Sequence, residues 1–365
     1  MKAKMNLMQK YIVGGAVRDS ILKHVDGWSS FPKDIDYVVT GCTHEQMMSM
    51  YGEPIGVDFP VWLDKDNNEV ALARVERSTG GKTTDFTFTT EGVTLEDDLS
   101  RRDLTINSMA IPDMTPNSLF MFGSTDDVID PYGGLDDLKN KILRHTTEAF
   151  AEDPLRVLRV ARFYARYYSM GFTVAEETVD LCKKMINDGM LENLPKERVW
   201  LETQKALSEK DAHMYFVFLS QIGFSPRPYA HEIHSLRHFR RMPFHCEDDQ
   251  LMAKWAALNR RRRFGSYFGE TKKFRKASEI LMKLEYASVF DETIILILET
   301  IGAYKGHLPF QVALSQITDE VKRNVITEII DLTRNVKVDV EPGPAYGEAL
   351  TDERVNIAYK YLHSL

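Results

Sequence analysis

Residues 11–22 read YIVGGAVRDSIL and residues 33–39 read KDIDYVV. In the first stretch, Tyr11-Ile12-Val13 is a short buried strand, Gly14-Gly15 a turn, and Ala16 to Leu22 a helix whose first amides point back at that turn. Free amides and the positive end of a helix dipole attract phosphate. Arg18, in the first helical turn, adds a forked charged donor to the same anion. In the second stretch, Asp34 and Asp36 run into the apolar segment Tyr37-Val38-Val39. Side chains of an extended strand alternate faces, so these two carboxylates share one side and can share divalent metal. Mg²⁺ is usually held by one or two carboxylates plus substrate phosphates. Two such ions about 3.5–4 Å apart clamp the attacking and leaving oxygens of an in-line displacement. Either half alone is a surface turn or a solvated acidic pair; together they point to phosphoryl-transfer chemistry.

The 365 residues suffice for two or more domains, and a hydrophobic fraction of 43% with 27% charged residues is that of an ordinary globular protein. Cys42, Cys182 and Cys246 are scattered without zinc-type or disulfide spacing, which fits a reducing compartment. No secretory or membrane-spanning apolar run is present, so a cytoplasmic location is expected, with no membrane association and no protein partner indicated. A formal charge of −8 argues against indiscriminate nucleic-acid coating but leaves room for a local basic surface. Arg260, Arg261, Arg262 and Arg263 form one run, followed by Lys272, Lys273, Arg275 and Lys276, with Phe264, Tyr267, Phe268 and Phe274 between them. The cations bind phosphate or form a solvated helix face, and the aromatics stack on bases or fill a core.

From Tyr11 to about Leu143, β-branched runs such as Tyr37 to Thr40 and Glu69 to Val75 alternate with helical stretches; beyond Asp153 helical periodicity dominates. The expected class is α+β: a head with a small mixed sheet, then an all-helical remainder. The divisions fall at 1–143, 144–225 and 226–365, with a joint near Pro226 and Pro228. Residues 76–91, ERSTGGKTTDFTFTTE, are either an ordinary hairpin loop or a mobile excursion around Gly80 and Gly81.

LEDDLSRRDLTINSMA at 95–110 reads as a helix. Arg102 there reaches triphosphate or sugar oxygens, with Asp103 or Asn107 holding it or bonding a ribose hydroxyl; internal salt bridges on a charged face are the alternative. In AEDPLRVLRVARFYARY, from Ala151, Asp153-Pro154 starts a helix on which Arg156, Arg159 and Arg162 recur every third residue. An ionised aspartate only accepts and an arginine only donates. As a pair, Asp153 and Arg156 therefore suit a base edge with an amino donor beside an unprotonated ring nitrogen, as in cytosine and adenine, and reject uracil and guanine. Each mismatch costs roughly 1–3 kcal/mol in buried unpaired groups. Alternatively Asp153 is only a helix cap.

Taken together, GGAVRD at 14–19, KDIDYVV at 33–39, LEDDLSRRDLTIN at 95–107, IDPYGGL at 129–135, EDPLRVLRVARF at 152–163 and LPKERVWLE at 194–202 resemble the class II tRNA nucleotidyltransferases, the CCA-adding enzymes, of the bacterial kind. The likeness covers about the first 205 residues. It implies a nucleotidyltransferase head followed by helical neck, body and tail, and two Mg²⁺ ions on Asp34 and Asp36. It further implies nucleotide contacts at Gly15, Arg18 and Arg102, a protein template at Asp153 and Arg156, and further nucleotide contacts at Arg159 and Arg162. CTP and ATP would be the substrates and tRNA the acceptor, with residues 76–91 as the loop that changes the site from C to A addition. The basic residues Arg260 to Arg263, Lys272 and Lys273 are the candidates for gripping tRNA. No adjacent His-Asp pair marks a phosphohydrolase; His231, His234, His238 and His245 cluster beside Cys246 without a metal-binding spacing. A third metal-binding carboxylate stays open among Glu69, Glu76 and Asp85. The alternatives are a poly(A) polymerase or A-adding specialist, a non-catalytic RNA-binding relative, and nucleotidyl transfer to a small molecule or protein.

Overall fold

The computed structural model describes residues 8–26, 35–55, 60–78, 86–113, 125–225, 228, 236, 247–261, 264–289, 291 and 293–365. The chain divides into two compact units, Met1–Arg198 and Val199–Leu365.

In the first unit, strand β1 (Gln9–Val13) leads through Gly14 into helix α1 (Gly15–Asp26). Strand β2 (Asp36–Thr40), helix α2 (His44–Tyr51), β3 (Val61–Leu63) and β4 (Glu69–Leu72) follow. Next come β5 (Val75–Ser78), β6 (Phe86–Thr89), α3 (Leu95–Ser100) and β7 (Ala110–Pro112). Among the described residues the main sheet has the order β3-β4-β2-β1-β7. Only β2 and β4 in it run parallel, so the sheet is mixed, as the sequence pattern implies. Its buried face collects Tyr11, Val13, Val38, Ala73, Val93, Leu99 and Ala110 into one core. Strands β5 and β6 pair antiparallel from Val75↔Thr89 to Ser78↔Phe86, so the arms of the Thr-rich stretch form a hairpin; 79–85, with Gly80, Gly81 and Asp85, lie outside the described residues.

The expected continuous helix over 95–110 is corrected by the structure. A capping box between Thr94 and Asp97 starts α3, but the helix stops at Ser100. Asp103 Oδ1 accepts the Leu104 amide at 2.9 Å, and the Thr105 amide donates to the Arg144 carbonyl at 3.0 Å. Amides spent this way cannot continue an i to i−4 ladder. A 3₁₀ turn at Thr105–Asn107 and then β7 take the place of further helix.

Helix α4 (Gly134–Asn140) is begun by Asp130, which accepts the Gly134 and Leu135 amides at 2.7 and 2.8 Å. Gly134 is required by space, since a Cβ there would lie 2.4 Å from the Thr105 carbonyl oxygen. Strands β8 (Ile142–Leu143) and β9 (Thr173–Val174) pair in parallel around helix α5 (Leu155–Tyr167). As read from the sequence, α5 begins right after Asp153-Pro154. Helices α6 (Glu176–Asn187) and α7 (Lys196–Ser208) follow.

The second unit is helical: α8 (His213–Gln221), α9 (Glu247–Leu258), α10 (Gly265–Phe268), α11 (Lys272–Tyr286), α12 (Thr293–Thr300), α13 (Leu308–Ser315), α14 (Glu320–Thr333) and α15 (Pro344–Leu362). Its core is aromatic. Trp200 meets Trp255 and Phe274 edge to face, each at 4.9 Å, and Phe216, Phe264 and Phe268 pack around them. Buried Glu270 accepts from Trp255 Nε1 at 2.6 Å and Asn259 Nδ2 at 3.0 Å, satisfying donors that the apolar cluster cannot. Among the described residues no helix is long and apolar enough to cross a membrane.

Candidate nucleotide-transfer site

The site grows from the turn between β1 and α1. Gly14 has φ +71°, and a Cβ there would also lie 2.8 Å from Arg102 Nη1. Only glycine satisfies both the left-handed backbone and the overlying guanidinium. In the sheet register Val13 pairs with Asp36, so the first residue of β2 sits beside this turn with its side chain exposed. The juxtaposition inferred from the two quoted stretches is thus present for Asp36; Asp34 lies outside the described residues. Among the described residues no three His, Cys, Asp or Glu side chains gather as a metal cage. An exposed carboxylate beside a glycine turn at a helix N-terminus is the hard oxygen donor that Mg²⁺ takes alongside phosphates, so Asp36 fits such an ion.

Two arginines overlie the turn, each anchored by a buried acid. Asp98, fully buried, accepts from Arg101 Nη2 at 2.7 Å, Arg102 Nη2 at 3.2 Å and the Arg74 amide at 3.3 Å. Burial alone would push the Asp98 carboxyl up, but the charges of Arg101 and Arg102 hold it below the usual range. Arg102 Nε is buried with no hydrogen-bond partner, a donor left over at the turn. Arg18 is buried and gives Nε to Asp19 Oδ1 at 2.8 Å and Nη1 to Asn107 Oδ1. Its remaining nitrogen, Nη2, is 3.4 Å from where a Gly15 Cβ would be.

Helix α5 joins this assembly. Asp103 accepts Arg159 Nε at 2.7 Å and Asn107 Nδ2 at 2.8 Å. Burial opposes its charge, yet Arg159 and the Asn107 amide keep Asp103 ionised well below the normal carboxylate range. From the other end of α5, Tyr167 Oη donates to Asp19 Oδ1 at 3.2 Å and Arg166 Nη2 reaches Asp19 Oδ2 at 3.5 Å. Arg156 is buried and gives Nη1 to the Ala149 carbonyl, and Arg162 lies over the Phe163 ring at 4.6 Å. Asp153 caps α5 through the Leu155 amide at 3.1 Å and pairs with Arg198 Nη2 at 3.1 Å. Gly15, Arg18, Arg102 and Asp36 therefore surround one turn, Arg159 is linked to it through Asp103 and Asn107, and Asp153 and Arg156 share the start of α5.

Sequence reasoning missed Asp98, Asp19, Tyr167 and Arg198. The triplet Glu96-Asp97-Asp98 gave no sign of which acid is buried, although the arginines at i+3 and i+4 from Asp98 were a usable signal. In the second unit Phe264, Phe268 and Phe274 are buried, which removes them as base-stacking candidates, whereas Tyr267 is exposed. Arg260 is tied to Glu285 at 2.8 Å and to the Ala257 carbonyl at 3.0 Å; Arg261, Lys272 and Lys273 are exposed, and Arg262 and Arg263 lie outside the described residues. His231, His234, His238, His245 and Cys246 lie outside them too. Of the third-carboxylate candidates, Glu69 is exposed at the start of β4, the Glu76 side chain and Asp85 being outside.

A sheet-borne Asp beside a glycine turn, with arginines over the turn and a helix tied to it through Asp103 and Asp19, is the arrangement to be set against known proteins. Residues 10–144 match the family described as the poly A polymerase head domain, and 171–225 match a probable RNA- and SrmB-binding site of polymerase A. A multifunctional CCA protein of Acinetobacter baumannii strain SDF is 50% identical over 218 residues, covering 59% of this chain and 49% of that protein. The chain thus matches about half the length of the curated relatives. In fold, it is similar to a CCA-adding enzyme in an apo form, with TM-score 0.65 and 22% identity over 98% of this chain and 92% of the other. It is also similar to the Thermotoga maritima CCA-adding enzyme complexed with tRNA, with TM-score 0.59 and 20% identity over 98% and 91%. Similar CCA-adding enzyme structures hold ATP (TM-score 0.62, 20% identity, 96% and 86% covered) and CTP (0.60, 22%, 98% and 87%). In sequence over its first part and in fold over nearly its whole length, the chain resembles the class II CCA-adding enzymes.

Proposed function

We propose that this protein adds C, C and A to the 3′ end of tRNA from CTP and ATP, without a nucleic-acid template, releasing pyrophosphate. The observation that carries the reading is the link, through Arg18, Asn107, Asp103 and Arg159, from the Gly14 turn beside Asp36 to a helix that Asp153 begins and whose first turn holds Arg156. The 50% identity to a CCA protein and the likeness to enzymes solved with ATP, CTP and tRNA support it. Residues 1–143 serve as catalytic head, 144–225 as neck and 226–365 as body and tail.

Asp34 and Asp36 would hold Mg²⁺, which when bound lowers the pKa of the attacking hydroxyl and neutralises charge at the α-phosphate. Arg102 and Arg18 Nη2, with the amides at the start of α1, orient the triphosphate. The tRNA 3′ oxygen bonds to the α-phosphorus, its proton leaves, and the bond to the β-phosphate oxygen breaks as pyrophosphate departs. Asp153 and Arg156 select the base edge, Arg159 and Arg162 line the same helix, and the β5–β6 hairpin serves as the loop for the change from C to A. Arg261, Lys272 and Lys273, with Arg260, Arg262 and Arg263, grip the RNA backbone.

Incubation with tRNA lacking its CCA end, labelled CTP and ATP, and Mg²⁺ should extend the tRNA by three nucleotides. Asp36→Ala should abolish extension while tRNA binding persists. Absence of labelled C from the product of intact protein would sink the reading. The description of the matched head family favours one second reading, an enzyme that takes ATP alone; incorporation of A with no C would select it.

A further inference from the structure

We infer that Tyr167 is a positioning residue for nucleotide selection: through Asp19 it locks the base-selecting helix α5 to the arginine that faces the phosphate-binding turn. The inference rests on the function proposed above. Tyr167 is fully buried, and a phenylalanine would fill the same space, so its hydroxyl is present for its partner. That partner is Asp19 Oδ1, at 3.2 Å, the same oxygen that accepts Arg18 Nε at 2.8 Å. Arg18 also lies across the rings of Phe163 and Tyr167, at 5.2 and 5.6 Å, and those rings stack within 3° of parallel. On its other side Arg18 donates to Asn107, Asn107 to Asp103, and Arg159 closes the circuit back to α5.

The circuit therefore leaves α5 at Arg159 and returns at Arg166 and Tyr167, two helical turns further along the same face. A helix pinned at two points two turns apart does not tilt on its own; a displacement at one end is carried to the groups that pin it. Arg156, one turn before Arg159, is placed to read the base. A base that leaves Asp153 or Arg156 unsatisfied shifts the start of α5, and the circuit delivers that shift to Arg18 at the triphosphate. The wrong nucleotide then binds with its α-phosphorus out of line, so discrimination appears in kcat and not only in KM. Without the Tyr167 bond the helix end yields, and the error is absorbed before it reaches Arg18.

The test compares Tyr167→Phe with Phe172→Leu in the full chain. Phe172 packs on the Tyr167 ring at 5.1 Å and has no hydrogen bond in the circuit, so it controls for loosened packing alone. CTP, ATP, UTP and GTP are each offered with tRNA lacking its CCA end, and kcat, KM and thermal melting are recorded. For Tyr167→Phe we expect the KM for CTP to stay within about twofold, kcat to fall about tenfold and the preference for CTP over UTP to narrow about tenfold. Phe172→Leu should lower the melting temperature and leave that preference intact. Asp19→Ala, which removes the oxygen that Tyr167 and Arg18 share, should narrow it at least as far as Tyr167→Phe does, and the double variant should be no worse than Asp19→Ala alone. An unchanged preference in Tyr167→Phe, or equal narrowing in Phe172→Leu, overturns the inference while CCA addition by the unaltered protein leaves the proposed function standing. Failure of the unaltered protein to use CTP overturns both.

Discussion

Replacing Asp103 by asparagine tests how far the head motif and α5 depend on one another. The Asp103 carboxylate accepts three bonds, from the Leu104 amide at 2.9 Å, Asn107 Nδ2 at 2.8 Å and Arg159 Nε at 2.7 Å. An asparagine keeps one acceptor oxygen and turns an NH₂ group toward donors, so at least one bond is lost and Arg159 loses its counter-charge. Breaking a fully buried pair costs roughly 3–5 kcal/mol; since the Arg159 side chain is 35% exposed, solvent screens part of this and about 2–3 kcal/mol is the better figure. For a unit the size of Met1–Arg198 that corresponds to a melting shift of about 4–12 °C. Calorimetry on Asp103→Asn, Arg159→Ala and the double variant is the assay. The double variant should fall short of the sum of the singles by about 1–2 kcal/mol. Additive losses, or a shift under about 2 °C for Asp103→Asn, would show that the pair does not join α5 to the head.

Gly14→Ala should raise the KM for CTP by about tenfold or more, because φ +71° is strained for alanine by about 1–2 kcal/mol and its methyl displaces Arg102; KM unchanged in steady-state assays would contradict this. Asp98 and Asp103 both titrate below their ordinary range in the folded state, so their stabilisation is complete above about pH 4 and is lost as pH falls through those lowered values. Melting curves of the unaltered protein should therefore drop steeply on the acid side of pH 4, and Asp103→Asn should flatten that drop. In the second unit, Glu270→Ala should cost about 1–3 kcal/mol by leaving Trp255 Nε1 and Asn259 Nδ2, which donate to the same Glu270 oxygen, without an acceptor, measured by denaturation followed through tryptophan fluorescence.

What could be read in the sequence was local. The Gly14 turn and the Asp153-Pro154 helix start each depend on residues within a few positions of one another, and each appears in the structure as read; of the acidic pair, Asp36 opens β2 and Asp34 lies outside the described residues. What escaped depends on partners distant in sequence. The helix expected through 110 ends at Ser100 because Thr105 and Leu104 pair with Arg144 and His145 instead of continuing the spiral. Asp98 stands in a charged run with no local sign of burial, and besides the two arginines of that run it accepts a backbone amide at Arg74, outside its own helix. Asp153 takes its ion-pair partner from Arg198, forty-five positions away. Phe264, Phe268 and Phe274 showed the spacing of both a core and a stacking surface, and only the packing of Phe216 on Phe264, Trp255 on Phe268 and Trp200 on Phe274 separates the two.

The arginines of this site divide their nitrogens between donors spent on anchoring acids and donors left for the ligand proposed above, a division that calls for arginine. Arg18 spends Nε on Asp19 and Nη1 on Asn107 and keeps Nη2 at Gly15; Arg102 spends Nη2 on Asp98, holds Nη1 over Gly14 and keeps Nε without a partner. A guanidinium can be fixed by one edge and present another because its five donors share a rigid plane, which a lysine ammonium cannot do. Anchoring before the ligand arrives removes side-chain entropy that would otherwise be lost on binding, at about 2 kcal/mol per long cationic side chain. The anchoring acids also neutralise part of each positive charge, so affinity for an arbitrary anion is weakened while the directions of the remaining donors stay fixed. Such a site favours a ligand whose oxygens match those directions over one that merely carries more charge, which is what the proposed in-line attack on a triphosphate requires.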